Sequence, residues 1–374
     1  MAPWGKALHC TSTLQQALKL LAFQSRSCSI TPKNHDLKTS LNPENEFLLE
    51  NLKLMGVDVS MARQRQPGVL RKNFTNEQGL AGFLQSKGAS GKTVASIISR
   101  YPRAITRSLE HLEQRWQLWK NILQTDEEIV STLDRSPESF FRSSDNDNME
   151  KNIAFLSSLG LNNQHLHRLL TTAPRTFSNS VELNKQRVEF LGNICTEMGG
   201  NDPEQFAKYF ISRNSYILIR STKRVKANID YLKESLNLSD SVLLALLRGP
   251  GADIMDLSNE YLKNNFISLQ QKMLSHGCRR VDVNIFIISR PAVLYTGAAT
   301  LSSKLDCLLK EGIPLQRILE KPKVFDYSVQ NLTAKLQELH RIGYDFQEKG
   351  IGILDMSQKR FEARLEKLVM SQNK

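Results

Sequence analysis

A proline that interrupts an apolar, helix-like pattern recurs along this chain, and its spacing constrains the fold more than any other feature. In "SIISRYPRAITR" (Ser96–Arg107) an apolar pair is followed by polar residues, Pro102 and a second short apolar cluster. The same arrangement returns in "MARQRQPGVLRK", "VSTLDRSPESFFR", "LHRLLTTAPRTFS", "LLALLRGPGADIMD", "IFIISRPAVLYT" and "QRILEKPKVFDYS". In "AKYFISRNSYILIRS", Ser215 takes the place of the proline. From Pro67 through Pro102, Pro137, Pro174, Ser215, Pro250 and Pro291 to Pro322 the spacings are 35, 35, 37, 41, 35, 41 and 31 residues. A period of this size is the signature of a helical solenoid. The proline has no N–H to lose in the first turn of a helix, and its φ is already helical. It also biases the preceding residue away from helix. Each proline therefore ends one helix and begins another.

The other half of the unit recurs as well. "SLEHLEQRWQLWKNI", "SVELNKQRVEFLG", "STKRVKANIDYLKES", "SVQNLTAKLQELHRIG" and "SQKRFEARLEKL" each open on serine and continue with apolar residues at helical spacing. Serine at an N-cap satisfies free backbone N–H groups, and the apolar stripe buries one face against the neighbouring unit. The expected unit is a helix, a corner at Pro, a short helix and a capped longer helix. No segment sustains a period of two, so an all-α fold is expected.

Composition fits. The 374 residues are 40% hydrophobic and 24% charged, enough for a substantial core. The formal charge of +12 suggests an anionic partner, nucleic acid or a membrane surface. The first 35 residues contain no Asp or Glu, but hold Lys6, Lys19, Arg26, Lys33 and the amphipathic run "LQQALKLLAFQSRS". Residues 1 to about 38 therefore read as a mitochondrial presequence, and 39–374 as the repeat domain. Removing those four cations lowers the charge from +12 to about +8, so the basic excess belongs to the remainder. No apolar run reaches the ~18 residues that span a bilayer.

Chemistry is not expected. The five cysteines form no CxxC pair, so neither a disulfide framework nor a zinc site is expected. "SKGASGKT" approaches a phosphate-binding loop, but Ser86 stands where the first glycine belongs and a helix-like stretch precedes it. It reads as a turn in which Gly88 closes one helix and Ser90 opens the next. "HLHRLL" and "HGC" lack partner ligands at metal spacing. No nucleophile–base or paired-carboxylate motif stands out, so no catalytic residue, metal or cofactor is assigned.

Aligning the capped helices on Ser108, Asp145, Ser180, Ser221, Ser258, Ser328 and Ser357 gives one row of third positions: His111, Asn148, Leu183, Arg224, Tyr261, Asn331 and Arg360. Equivalent positions of a solenoid share one surface, and all but Leu183 can donate a hydrogen bond or stack. A second row follows the proline: Arg103, Glu138, Arg175, Tyr216, Gly251, Ala292 and Lys323. Helix N-termini there would also offer N–H groups to phosphates.

The Pro-centred motif, together with "GVDVSMARQRQPGV", "RSPESFFRS", "APRTFSNS", "STKRVKANI" and "GPGADIMDLSNEY", resembles the mTERF repeat family of organellar nucleic-acid-binding proteins over about residues 50–374. The resemblance implies about nine three-helix repeats in a curved superhelix with a basic concave groove. It implies a monomer in the mitochondrial matrix nucleoid that binds double-stranded mitochondrial DNA at a terminator in a leucine tRNA gene. There it would end transcription near the large rRNA gene by blocking the transcription machinery. It carries base-reading roles onto Arg142, Arg175, Arg224, Lys323 and Arg360. It carries roles in stacking everted bases of bent, partly unwound DNA onto Arg135, Tyr216 and Tyr261. Lysine at 323 keeps the charge but lacks the planar fork that grips guanine. Two other readings are an rRNA-binding member of the family serving ribosome assembly and a helical scaffold for protein partners.

Overall fold

In the computed structural model the chain divides into two units, Met1–Glu44 and Asn45–Lys374. Residues 43–142 and 146–372 are described. The expected presequence and the expected cap Asp145 lie outside them. The second unit holds the repeat fold.

Among the described residues there is no strand, and one three-helix motif repeats nine times before a final helix, Gln358–Gln372. The second repeat shows the pattern: Glu77–Ser86, then Gly91–Arg100, then a short 3-10 helix Pro102–Thr106. Numbered along the chain, the repeats span 46–71, 77–106, 109–141, 147–178, 181–219, 222–254, 259–295, 298–326 and 329–355. Long helices of neighbouring repeats pack side by side, as Asn259–Ser275 does with Ala298–Lys310, and the latter with Val329–Arg341. The buried apolar side chains form one continuous cluster from Leu48 to Phe361. The phosphate-loop lookalike is the expected turn: Gly88 has φ +93° after the helix Glu77–Ser86, and Ser90 caps Gly91–Arg100.

Seven of the nine corners share one conformation. Gln66, Tyr101, Ser136, Ala173, Asn214, Arg290 and Lys321 all hold φ between −150° and −117° and ψ between 59° and 91°. A following proline disfavours the α region for the residue before it, and all seven residues lie outside that region. Gly249 differs, with φ −119° and ψ −144°. Here the chain passes so close to the preceding helix that a Cβ on Gly251 would meet the carbonyl oxygen and side chain of Leu246 at 2.7 Å. Gly251, a member of the post-proline row, is thus fixed by packing.

The corner without proline keeps its geometry by other means. Asn214 Oδ1 accepts the amide of Tyr216 at 3.1 Å, closing a side-chain turn. Its Nδ2 donates to the carbonyls of Ala252 and Asp253 at 2.9 and 3.2 Å and to Asp256 Oδ1 at 3.1 Å. Because the backbone already suits proline, Ser215→Pro should stabilise the chain by about 0.4–1 kcal/mol. Thermal unfolding checks this, and a lowered midpoint would show that this corner is not equivalent to the others. The ninth corner, Gly350–Ile351–Gly352, also lacks proline and turns on Gly350 at φ +69°. The sequence pattern ended at Pro322 and missed it.

The expected serine caps form. Ser108, Ser180, Ser221, Ser258 and Ser328 accept the amide three residues on at 3.1–3.3 Å. The Ser357 carbonyl accepts the first intrahelical bond of the last helix. Asn146 is the N-cap of Asp147–Ser158, without a side-chain bond, and the eighth long helix begins after Gly297.

A third row went unread in the sequence. Seven residues after each cap position, or after Asp145 and Gly297 in the fourth and eighth repeats, stand Arg115, Asn152, Arg187, Asn228, Asn265, Lys304 and Lys335. Each donates to carbonyls at the end of the short helix in its own repeat: Phe140, Phe177, Leu218, Met255, Leu294, Phe325 and Leu354. Helix ends leave carbonyls unsatisfied, and a buried carbonyl without a partner is costly. This internal donor allows the short helix to be buried. The two lysines are 6% and 2% exposed, and burial pushes both ammonium groups below their ordinary pKa.

Candidate nucleic-acid interface

The repeat geometry engages one of the expected rows with the chain itself. The first turn of each long helix adjoins the end of the short helix in the same repeat, so the third position after the cap reaches the chain that leads into the next cap. Asn148 Nδ2 donates to Asn179 O at 2.8 Å. Arg224 Nε donates to Leu257 O at 2.7 Å, and its Nη2 bonds to Asp256 O. Tyr261 donates its hydroxyl to Tyr295 O at 2.8 Å. Members of this row are thus ties within the chain, and reading DNA with Arg224 requires giving up carbonyl bonds. Burial, then the neighbouring Arg220, pushes Arg224 below the usual guanidinium pKa. His111 is buried, Leu183 and Arg360 are exposed, and Asn331 is half-buried.

The post-proline row is more accessible. Arg103, Arg175, Tyr216 and Lys323 are exposed at the start of their short helices, whereas Gly251 is buried. Lys323 Nζ lies 3.0 Å from Asp355 Oδ1, and that bond holds its ammonium above the ordinary lysine value. Arg175 lies close enough to Arg187 to help lower the latter's pKa, after burial as the larger cause. Arg142 belongs to neither row: it follows the short helix Pro137–Phe141, is exposed, and lies 3.6 Å from Glu138. Such exposed pairs are worth at most about 1 kcal/mol, so an incoming phosphate can displace them.

Arg135 sits at the end of a second helix and donates to Thr171 O of the following repeat at 2.9 Å. It is one of a series. Arg100 bonds to Asp134 Oδ1 at 2.8 Å, Arg168 to Ser212 O at 3.1 Å, Arg213 to Asp253 Oδ1 at 3.0 Å and Arg290 to Asp326 Oδ1 at 3.2 Å. Each crosses to the next repeat. The sequence held a signal for part of the series: arginine stands two residues before the corner position at Arg65, Arg100, Arg135, Arg213 and Arg248.

Tyr216 and Tyr261, the expected stacking aromatics, are each 38% exposed. The Arg220 guanidinium lies 5.4 Å from the centre of the Tyr216 ring. Between them runs a polar network. Tyr295 donates its hydroxyl to Asp253 O and Asp256 Oδ1, and burial together with that carboxylate pushes its pKa far up. Arg220 Nη2 lies 3.8 Å from Asp256 Oδ2.

Aromatic faces and guanidinium forks along helix N-termini, repeated from unit to unit, suit an extended anionic polymer with stackable bases. The comparison with known proteins agrees: the mTERF family model matches residues 49–362. The chain belongs to the mTERF family. Among mTERF relatives, mouse mitochondrial transcription termination factor 1b is 49% identical over 351 residues, 94% of this chain and 92% of the mouse protein. Human mitochondrial transcription termination factor 1 is 51% identical over 325 residues, 87% and 82% of the two chains. Human mitochondrial transcription termination factor 2 is 31% identical over 327 residues, 87% and 84%. The nine repeats and their corners are therefore an mTERF architecture. No helix among the described residues is long and apolar enough to cross a membrane, and none of their His, Cys, Asp and Glu side chains cluster as a metal site.

Proposed function

We propose that this chain is a mitochondrial transcription terminator that works by binding double-stranded DNA sequence-specifically and obstructing the polymerase, without catalysis. The observation that carries the reading is near-50% identity, over almost the whole chain, to relatives named mitochondrial transcription termination factor 1. The rest of the reading follows from the family resemblance. Residues 1–38 direct import and are removed, and the remainder acts as a monomer in the matrix nucleoid, at a leucine tRNA terminator near the large rRNA gene. A basic groove along the repeats holds the duplex. Arg142, Arg175, Arg224, Lys323 and Arg360 read bases. Arg135, Tyr216 and Tyr261 stack bases turned out of a bent, partly unwound duplex. Unstacking costs a few kcal/mol, and each stacked base returns roughly 1–3 kcal/mol. Eversion then locks the complex in place.

Binding to labelled duplex and to rRNA fragments at matched salt tests this. If six to ten phosphates are neutralised, duplex affinity should fall about 10³- to 10⁵-fold between roughly 50 and 200 mM salt. Tighter binding to rRNA would favour ribosome assembly. Weak, salt-insensitive binding to both would favour a protein scaffold.

A further inference from the structure

Tyr216 stands on the rim of a cleft of about 410 Å³ lined by Arg168, Arg213, Asn214, Asp253 and Tyr295. That volume falls within the roughly 300–1,000 Å³ of small-ligand pockets. Three features define what it can hold. First, Tyr216 offers a stacking ring. Second, Arg213 and Asp253 face one another across consecutive repeats, with Nε to Oδ1 at 3.0 Å and Nη2 to Oδ2. Their side chains are 40% and 29% exposed. Arg213 thereby commits its Nε–H and one Nη2–H and keeps the second Nη2–H and those of Nη1, while each carboxylate oxygen keeps acceptor capacity. Third, three of the other polar groups are committed: Arg168 donates to the carbonyls of Ser212 and Arg213, Asn214 makes the four bonds of its corner, and the Tyr295 hydroxyl is bound to Asp253 O and Asp256, while Thr172 and Ser215 complete the lining.

We infer that this cleft receives an extrahelical nucleobase and that the Arg213–Asp253 pair reads its hydrogen-bonding edge while Tyr216 stacks its face. This rests on the eversion reading above and adds the reading pair to it. The Arg213–Asp253 pair carries no net charge and its carboxylate repels phosphate, so a backbone phosphate would be drawn to Arg168 and not to the pair. Donor and acceptor side by side match the adjacent acceptor and donor on the Watson–Crick edge of a base. Stacking alone tolerates any π-face, whereas a site built to hydrogen-bond an edge penalises a ligand without one.

The test uses the full-length chain and short duplexes carrying one unpaired nucleotide, either dC or a difluorotoluene nucleotide that stacks but hydrogen-bonds poorly. Wild type should bind the dC duplex about tenfold tighter or more, the scale of hydrogen bonds to charged groups. The double variant Arg213→Met with Asp253→Leu should close that gap. Replacing an ion pair by apolar residues of similar size is often neutral for stability, and thermal unfolding checks that it is so here. Equal wild-type affinities for the two duplexes overturn the edge reading without any variant. A gap that persists in the double variant overturns it too. If neither unpaired nucleotide improves on a fully paired duplex and Tyr216→Ala changes nothing, the eversion reading itself fails.

Discussion

Asn184→Leu should destabilise the middle of the repeat array by about 2–6 kcal/mol, although the two side chains are close in shape. Asn184 is fully buried. Its Nδ2 donates to Asn152 Oδ1 and to Thr176 O, both at 2.7 Å, and its Oδ1 accepts from Asn179 Nδ2 at 3.2 Å. Asn179 Nδ2 keeps a second acceptor, Leu218 O at 3.3 Å. The substitution therefore orphans two buried acceptors outright, at roughly 1–3 kcal/mol each. In a solenoid each repeat leans only on its neighbours, so the loss should be local. Amide exchange in residues 147–219 should accelerate while residues 298–355 keep their protection. A loss below about 1 kcal/mol, or one spread evenly along the chain, would contradict the role assigned to the asparagine network.

Replacing Arg175 and Arg224 together by lysine should cut the preference for the target site over arbitrary duplex by about 30-fold to 10⁴-fold. Each bidentate grip on guanine is worth roughly 1–3 kcal/mol of discrimination, and lysine cannot form it. Affinity for arbitrary duplex should move only a few-fold, because the charges that neutralise phosphate remain. Arg224 also ties the carbonyls of Asp256 and Leu257, so unfolding of the variant must be measured beside binding. Undiminished preference in a folded variant would remove these two residues from the reading set. Parallel loss on all sequences would assign them to the backbone instead.

Much of the fold was legible because it is written many times. Proline at a corner, serine at a cap and apolar residues at helical spacing each act locally, and repetition turned weak local signals into an architecture. The ninth corner was missed for the same reason: Gly350 turns the chain by positive φ, with no proline to mark it. The serine at position 215 left one doubt, which Asn214 resolves through contacts some forty residues away. The donor row from Arg115 to Lys335 was harder to see, since arginine, asparagine and lysine share no chemical class. What unites them is a common task, satisfying the last carbonyls of a short helix. The candidate site was legible by position but not by engagement. Nothing in the alignment distinguished Arg175, open at a helix start, from Arg224, held by two carbonyls, or Arg135, bonded across to Thr171.

As a terminator, the protein would recognise one place on mitochondrial DNA through its repeats. Nuclease footprinting of the protein, without residues 1–38, across whole mitochondrial DNA at physiological salt tests it most directly. One dominant protected segment is expected in the leucine tRNA region beside the large rRNA gene, lost in the Arg175→Lys, Arg224→Lys variant. Diffuse protection along the genome, or none, would contradict it.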